Sequence, residues 1–147
     1  MARKSSLLAF AILNFDGTSF DGTLYVSPDD ISYVMSGSGS GGSSSTSWIS
    51  FRGDSPNDRQ WLVTGTASEI VDQVGASELY QITFFNQSTV QPYLRLDAIR
   101  GIYPSDYDSG APSGAIRIVG DGFGPQDIAA SDEAALVAAL GRVTAIT

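Results

Sequence analysis

Four segments of this 147-residue chain recur in the same order, and nothing else in the sequence limits the fold as strongly. WISFRGD (48–54) aligns with AIRIVGD (115–121). Upstream, LYVSPDDISYV (24–34) aligns with LRLDAIRGI (94–102) if two residues are deleted. Earlier still, FAILNF resembles YQITFFN, each an apolar run that leads into a polar turn. Downstream, TASEIVDQV (66–74) faces SDEAALVAAL (131–140). One such match is easily accidental, but four in register imply a tandem duplication, residues 6–75 and 77–143. The chain then divides into a first β-rich repeat, 1–75, and a second, 76–147.

Each copy reads as strand, strand, strand, strand, helix. Residues 6–15 and 79–86 are apolar and aromatic, as buried strands are. Residues 24–26 and 93–96 follow polar turns and supply hairpin partners. ISYVM and IRGIY come next, after Asp29, Asp30 and Asp97. Residues 48–51 and 115–119 form the third clear strand, and a Gly-Asp turn leads to RQWLV and QDIAA. In the first copy Thr66 and Glu69 have the spacing of a helix capping box, with Ile70 and Val74 on one face. In the second, Ser131 is the expected cap, acidic Asp132 and Glu133 suit the helix start, and Gly141 suits its end. The expected fold class is mainly β with short helices, an α+β arrangement.

The Gly/Ser stretch 36–47 has the composition of a flexible linker but falls between paired strands, so it reads as a long hairpin insertion. The tripeptide Arg52-Gly53-Asp54 matches an integrin-binding signal. Gly53-Asp54 recurs at the aligned turn as Gly120-Asp121, however, so turn geometry explains it and Arg52 becomes the end of a strand.

Composition narrows the chemistry. The chain has no Cys and no His, which removes disulfides, the usual zinc and copper ligands, and the Ser-His-Asp and Cys-His nucleophile systems. A net charge of −8 opposes binding to a nucleic-acid backbone. The apolar run of residues 7–13 is too short to span a membrane, and no small-residue cleavage site follows it, so a strand is expected there. Asp106 and Asp108 have the alternate spacing of calcium loops, but no closing glutamate follows; a solvated turn is the plainer reading. The other carboxylates sit in turns and caps, leaving no catalytic residue, metal site or cofactor to assign. Trp48, Phe51, Trp61, Phe84 and Phe85 read as core. Tyr93, Tyr103 and Tyr107, nearer turns, are candidate contact residues.

The unit formed by Leu24, Val26, Asp29 or Asp30, Ile31, Val34, Ile49, Gly53, Thr66, Glu69, Ile70 and Val74 resembles small structural proteins of tailed bacteriophages. Leu94, Leu96, Asp97, Ile99, Ile102, Ile116, Gly120, Ser131, Leu136 and Leu140 repeat that pattern in the second copy. The resemblance implies a non-enzymatic virion component, foremost a capsid decoration (cement) protein that bridges subunits of the major capsid protein. Tail or neck components, and receptor- or carbohydrate-binding modules, are the alternatives. It further implies a homo-oligomer, with a trimer presenting six similar units, and contacts through Arg3 and Lys4 of the basic amino-terminal arm.

Overall fold

Alternating apolar residues bounded by turns become ten strands and two short helices in the computed structural model, which describes residues 6–40, 43–53, 60–87 and 89–146. The strands are β1 (Leu8–Leu13), β2 (Ser19–Val26), β3 (Ile31–Ser36), β4 (Thr46–Phe51), β5 (Trp61–Thr64), β6 (Leu79–Gln81), β7 (Tyr93–Arg95), β8 (Ile99–Pro104), β9 (Ala115–Gly120) and β10 (Phe123–Ala129). Helix α1 (Ala67–Val74) follows β5, and α2 (Glu133–Leu140) follows β10. The fold is therefore mainly β with short helices, and five strands precede each helix where four were expected. The apolar run expected to be a strand is β1, and the Gly/Ser stretch does join two paired strands, since Ser36 lies opposite Ser47.

A seven-stranded sheet runs in the order β2-β1-β5-β4-β3-β7-β6, and a three-stranded sheet in the order β10-β9-β8. The Phe85 N–H donates to the Asp127 carbonyl at 2.9 Å, bringing the end of the β6–β7 hairpin to β10. The order β2-β1-β5-β4-β3 thus has a partial counterpart in β7-β6 and β10-β9-β8, two pieces of separate sheets that this one bond links. Short 3-10 turns precede β3 (Pro28–Asp30) and β8 (Leu96–Ala98) alike.

The ladders correct the sequence register. Val34 lies opposite Ile49, and Ile102 opposite Ile118; Ile31 lies opposite Phe51, and Ile99 opposite Gly120. Ile49 therefore corresponds to Ile118, both fully buried, and Trp48 to Arg117 rather than Ala115. On the other side Val26 matches Leu94 and Ile31 matches Ile99 with no deletion. Arg52 N–H bonds the Asp30 carbonyl as Asp121 N–H bonds that of Ala98, so Gly53 pairs with Gly122, not Gly120. Both glycines have positive φ, 82° and 91°, which a side chain disfavours.

The helices differ at their starts. Thr66 and Glu69 form the expected capping box on α1, whose Ile70, Val71 and Val74 are buried. The expected cap Ser131 makes no such bond: a 3-10 turn, Ala130–Asp132, leads into α2 without a side-chain cap. Gly141 ends α2 in the left-handed conformation, as expected. Of the five aromatics read as core, Phe51 and Trp61 pack partly buried on the first core and Phe84 on the second, while Trp48 and Phe85 are partly buried. Aliphatic residues fill the centre: Ile31, Val34, Ile49, Val63 and Ile70 in one core, Leu94, Ile118, Ile128 and Leu136 in the other.

The two cores meet at one antiparallel pairing, β3 with β7, where Tyr33 faces Leu94 and Val34 faces Tyr93. Successive side chains point to opposite faces of a sheet. Accordingly Tyr33 and Leu94 enter the second core, while Val34 and Tyr93 pack on the first. The first four residues of β3 are consequently all buried. Buried Arg95 seals the seam by donating from Nε to the Ile31 carbonyl at 2.7 Å and from Nη2 to that of Pro28 at 2.6 Å. Arg52 is not an idle strand end: its Nη2 lies 2.6 Å from Asp97 Oδ1, and its Nε donates to the Asp29 carbonyl. Asp121 Oδ1 accepts from Gly53 N–H at 2.7 Å, and the Gly122 carbonyl accepts from Ser50 Oγ.

Burial pushes the Tyr33 phenol up to about 12, against a slight lowering by Gln60. The neutral phenol is favoured in the folded state, so its contribution is intact below pH 10 and lost as pH rises through 12. Urea unfolding should show a loss of about 2 kcal/mol between pH 9 and 12 that Tyr33→Phe abolishes. The glycines separate by their surroundings. A Cβ on Gly122 would overlap the Phe51 carbonyl and Ser32 Oγ, whereas one on Gly53 meets open space. Gly122→Ala should cost about 3 kcal/mol and Gly53→Ala about 1, read from urea midpoints.

Candidate assembly surfaces

Each tyrosine expected at a contact surface has a different setting. Tyr93 belongs to β7 and packs half-buried on the first core, inside the seam. Tyr103 and Tyr107 lie together, their rings edge to face at 6.4 Å beside the hairpin that joins β8 to β9. Tyr107 is 86% exposed. Arg3 and Lys4 lie outside the described residues, as does Asp54 of the Arg-Gly-Asp tripeptide.

Arg117 organises the Tyr103 surface. It grips Asp127 with two parallel bonds of 2.9 Å, and its Nη1 reaches Asp108 Oδ2 at 3.3 Å. The same Asp108 oxygen accepts a short hydrogen bond from Tyr103 OH. This paired geometry is the strong form of an Arg–carboxylate contact. The hydrogen bond to Asp127 holds the guanidinium pKa above its ordinary value. The hydrogen bond to Asp108 raises that of Tyr103, with smaller contributions from desolvation and the Asp108 charge. Asp108 is thus committed to an arginine and a tyrosine, while Asp106 is exposed. Among the described residues no three acidic side chains come together as a cation site.

Two apolar surfaces escaped the sequence reading. At the β1–β2 turn, Phe15 is 78% exposed and meets Trp48 edge to face at 5.4 Å. With Ile12, Leu13, Phe20, Trp61 and Leu62, Phe15 lines a shallow cleft of about 270 Å³. The second surface is α2. Ile70 and Leu136 are the buried anchors of the two helices. Aligned on them, α1 shows solvent Ser68, Glu69, Asp72 and Gln73 where α2 shows Ala134, Ala135, Ala138 and Ala139. A helix apolar all round is normally covered on more than one side. The alternation of Ala and Leu in EAALVAAL was a signal available in the sequence, but only the contrast with α1 gives it meaning.

No family model, curated protein or solved structure matches the chain. In the Arg117 cluster, Asp108→Asn should return the Tyr103 phenol toward its ordinary range. Spectrophotometric titration of Tyr103 against a Tyr103→Phe control would detect this as an earlier ionisation.

Proposed function

We propose that this chain is a non-enzymatic structural protein of a virion, foremost a capsid decoration protein whose partner is the major capsid protein. The observation that carries this reading is the α2 face, where four exposed alanines stand in the places of polar residues on α1. Alanine contributes little side-chain entropy to an interface and permits close approach of a flat partner surface. Exposed Phe15, Phe20 and Tyr107 extend the supply of apolar contact area. Stabilisation of the shell would follow from area buried on binding, since a ligand that binds only the assembled state raises that state's stability.

The chemistry of the chain supports binding over catalysis. It has neither His nor Cys, and its Arg117 carboxylates are already paired. An acidic surface with net charge −8 suits a basic patch on the partner and disfavours nucleic acid. A second reading, a tail or neck ring component, is favoured by the end strands β2 and β8, which have one partner each among the described residues.

Mixing purified protein with virions stripped of accessory proteins tests the first reading. Stoichiometric rebinding should raise the capsid melting temperature, and Ala135→Glu with Ala138→Glu should weaken binding at least tenfold. A folded wild-type protein that leaves capsid mass and melting unchanged overturns the proposal.

A further inference from the structure

The strand order offers a junction that the single chain does not use. Within the chain, β3 ends the first group of five strands and pairs with β7, which begins the second group. At the outer limits stand β2, the counterpart of β7, and β8, the counterpart of β3. Among the described residues each is an end strand with one partner, as are β6 and β10, which Phe85 and Asp127 link. We propose that β8 of one copy pairs with β2 of the next, head to tail, in the register that joins β3 to β7. Gly101 would then lie opposite Val26, and Ile102 opposite Tyr25.

Side-chain placement supports this register. Leu94 enters its own core, and Val26 enters its own core in the same way. Tyr93 points back onto the preceding core and is half-buried there. Its counterpart Tyr25 faces no such core among the described residues and is 65% exposed. The mirror-image deficit appears on β8. Val34 is fully buried beneath the seam, whereas its counterpart Ile102 packs on the second core and is only partly buried. Pairing the two outer strands sets exposed Tyr25 over partly buried Ile102, as Tyr93 sits over Val34.

The outer edges also carry few of the usual guards against pairing. Natural edge strands are kept apart by charges, prolines or short length. Strand β2 has eight residues and one charge, Asp21, while β8 has one charge, Arg100, and a proline only at its end, Pro104. The backbone is prepared as well. At the inner seam Arg95 donates to the Pro28 carbonyl; at the outer position Ser27 replaces that arginine. The corresponding Leu96 carbonyl instead accepts from Arg142 Nη2 at 3.2 Å. Gly101 replaces Tyr33, so no large ring must enter the incoming core.

Charge makes the outer junction weaker than the inner one. Where the seam has Arg52 and Asp97, the outer junction would have Asp121 and Asp29, with Arg100 bonded to Asp121 at 3.4 Å. Each copy also carries net charge −8. Association should therefore strengthen as salt screens these charges. Head-to-tail contacts generate closed rings or open filaments, depending on the rotation between copies. This inference rests on strand geometry and stands whether or not the partner is a capsid.

The absence of native cysteine permits a direct test on the full chain. The double variant Tyr25→Cys with Ile102→Cys, oxidised in high salt, should give covalent multiples of 15.4 kDa that reducing agent dissolves. Thr23→Cys with Ile102→Cys, two residues out of register, should not. Tyr25→Asp, which alters an exposed side chain, should weaken wild-type association at least tenfold with no change in the circular dichroism of the monomer. Light scattering that finds the wild type monomeric at both low and high salt overturns the proposal. So does a wild-type multimer whose in-register cysteine pair fails to crosslink. Crosslinked multimers that ignore stripped capsids sustain the junction and sink the cement reading.

Discussion

The rest of the structure depends on the pairing of β3 with β7. The ladder is only two residue pairs long, yet it is the place where each half lends a side chain to the other's core. Tyr33 and Val34, neighbours in sequence, are buried in different cores. Burying side chains of this size contributes about 1.5–3 kcal/mol each. Neither half alone has the size to support a large core, since chains of about 60 residues bury a smaller share of their surface. The seam turns two marginal cores into one continuous packing problem, with Arg95 satisfying the carbonyls that the crossing would otherwise strand.

The local elements were legible because local rules determine them. Thr66 and Glu69 announced α1, Gly141 ended α2, and period-two alternation placed most strands. Register was not legible. Matching Gly53-Asp54 to Gly120-Asp121 weighed a dipeptide identity above the ladder, and β-bulges after Ile31 and Ile99 are invisible in sequence. The true counterpart of Gly53 is Gly122, recognisable only from its positive φ and backbone bonds. Arg52 and Arg95 were equally opaque, because their partners lie 45 and 64 residues away. Of the expected contact residues, Tyr103 and Tyr107 do share a surface, whereas Tyr93 is part of the seam. Neither tryptophan reaches a core centre: Trp61 packs on the margin of the first core and Trp48 meets exposed Phe15, which leaves that centre to Ile and Val.

A chain organised this way is suited to addition. Each group of five strands offers one edge that accepts and one that is accepted, and the inner junction is already made. Such geometry extends a sheet without any new element, through main-chain bonds for affinity and alternate side chains for specificity. The acidic surface, the alanine face of α2 and the exposed aromatics at the β1–β2 turn are then the features free to meet a different protein.

Native-state hydrogen exchange tests the central claim, that the β3–β7 seam holds both cores in one cooperative unit. Regions that open together share one opening free energy. The slowest amides of β3, β4, β7 and β9 should exchange with a single free energy and a single denaturant dependence. Amides of β8, β9 and β10 that open at a lower free energy while β3 and β4 stay protected would contradict it.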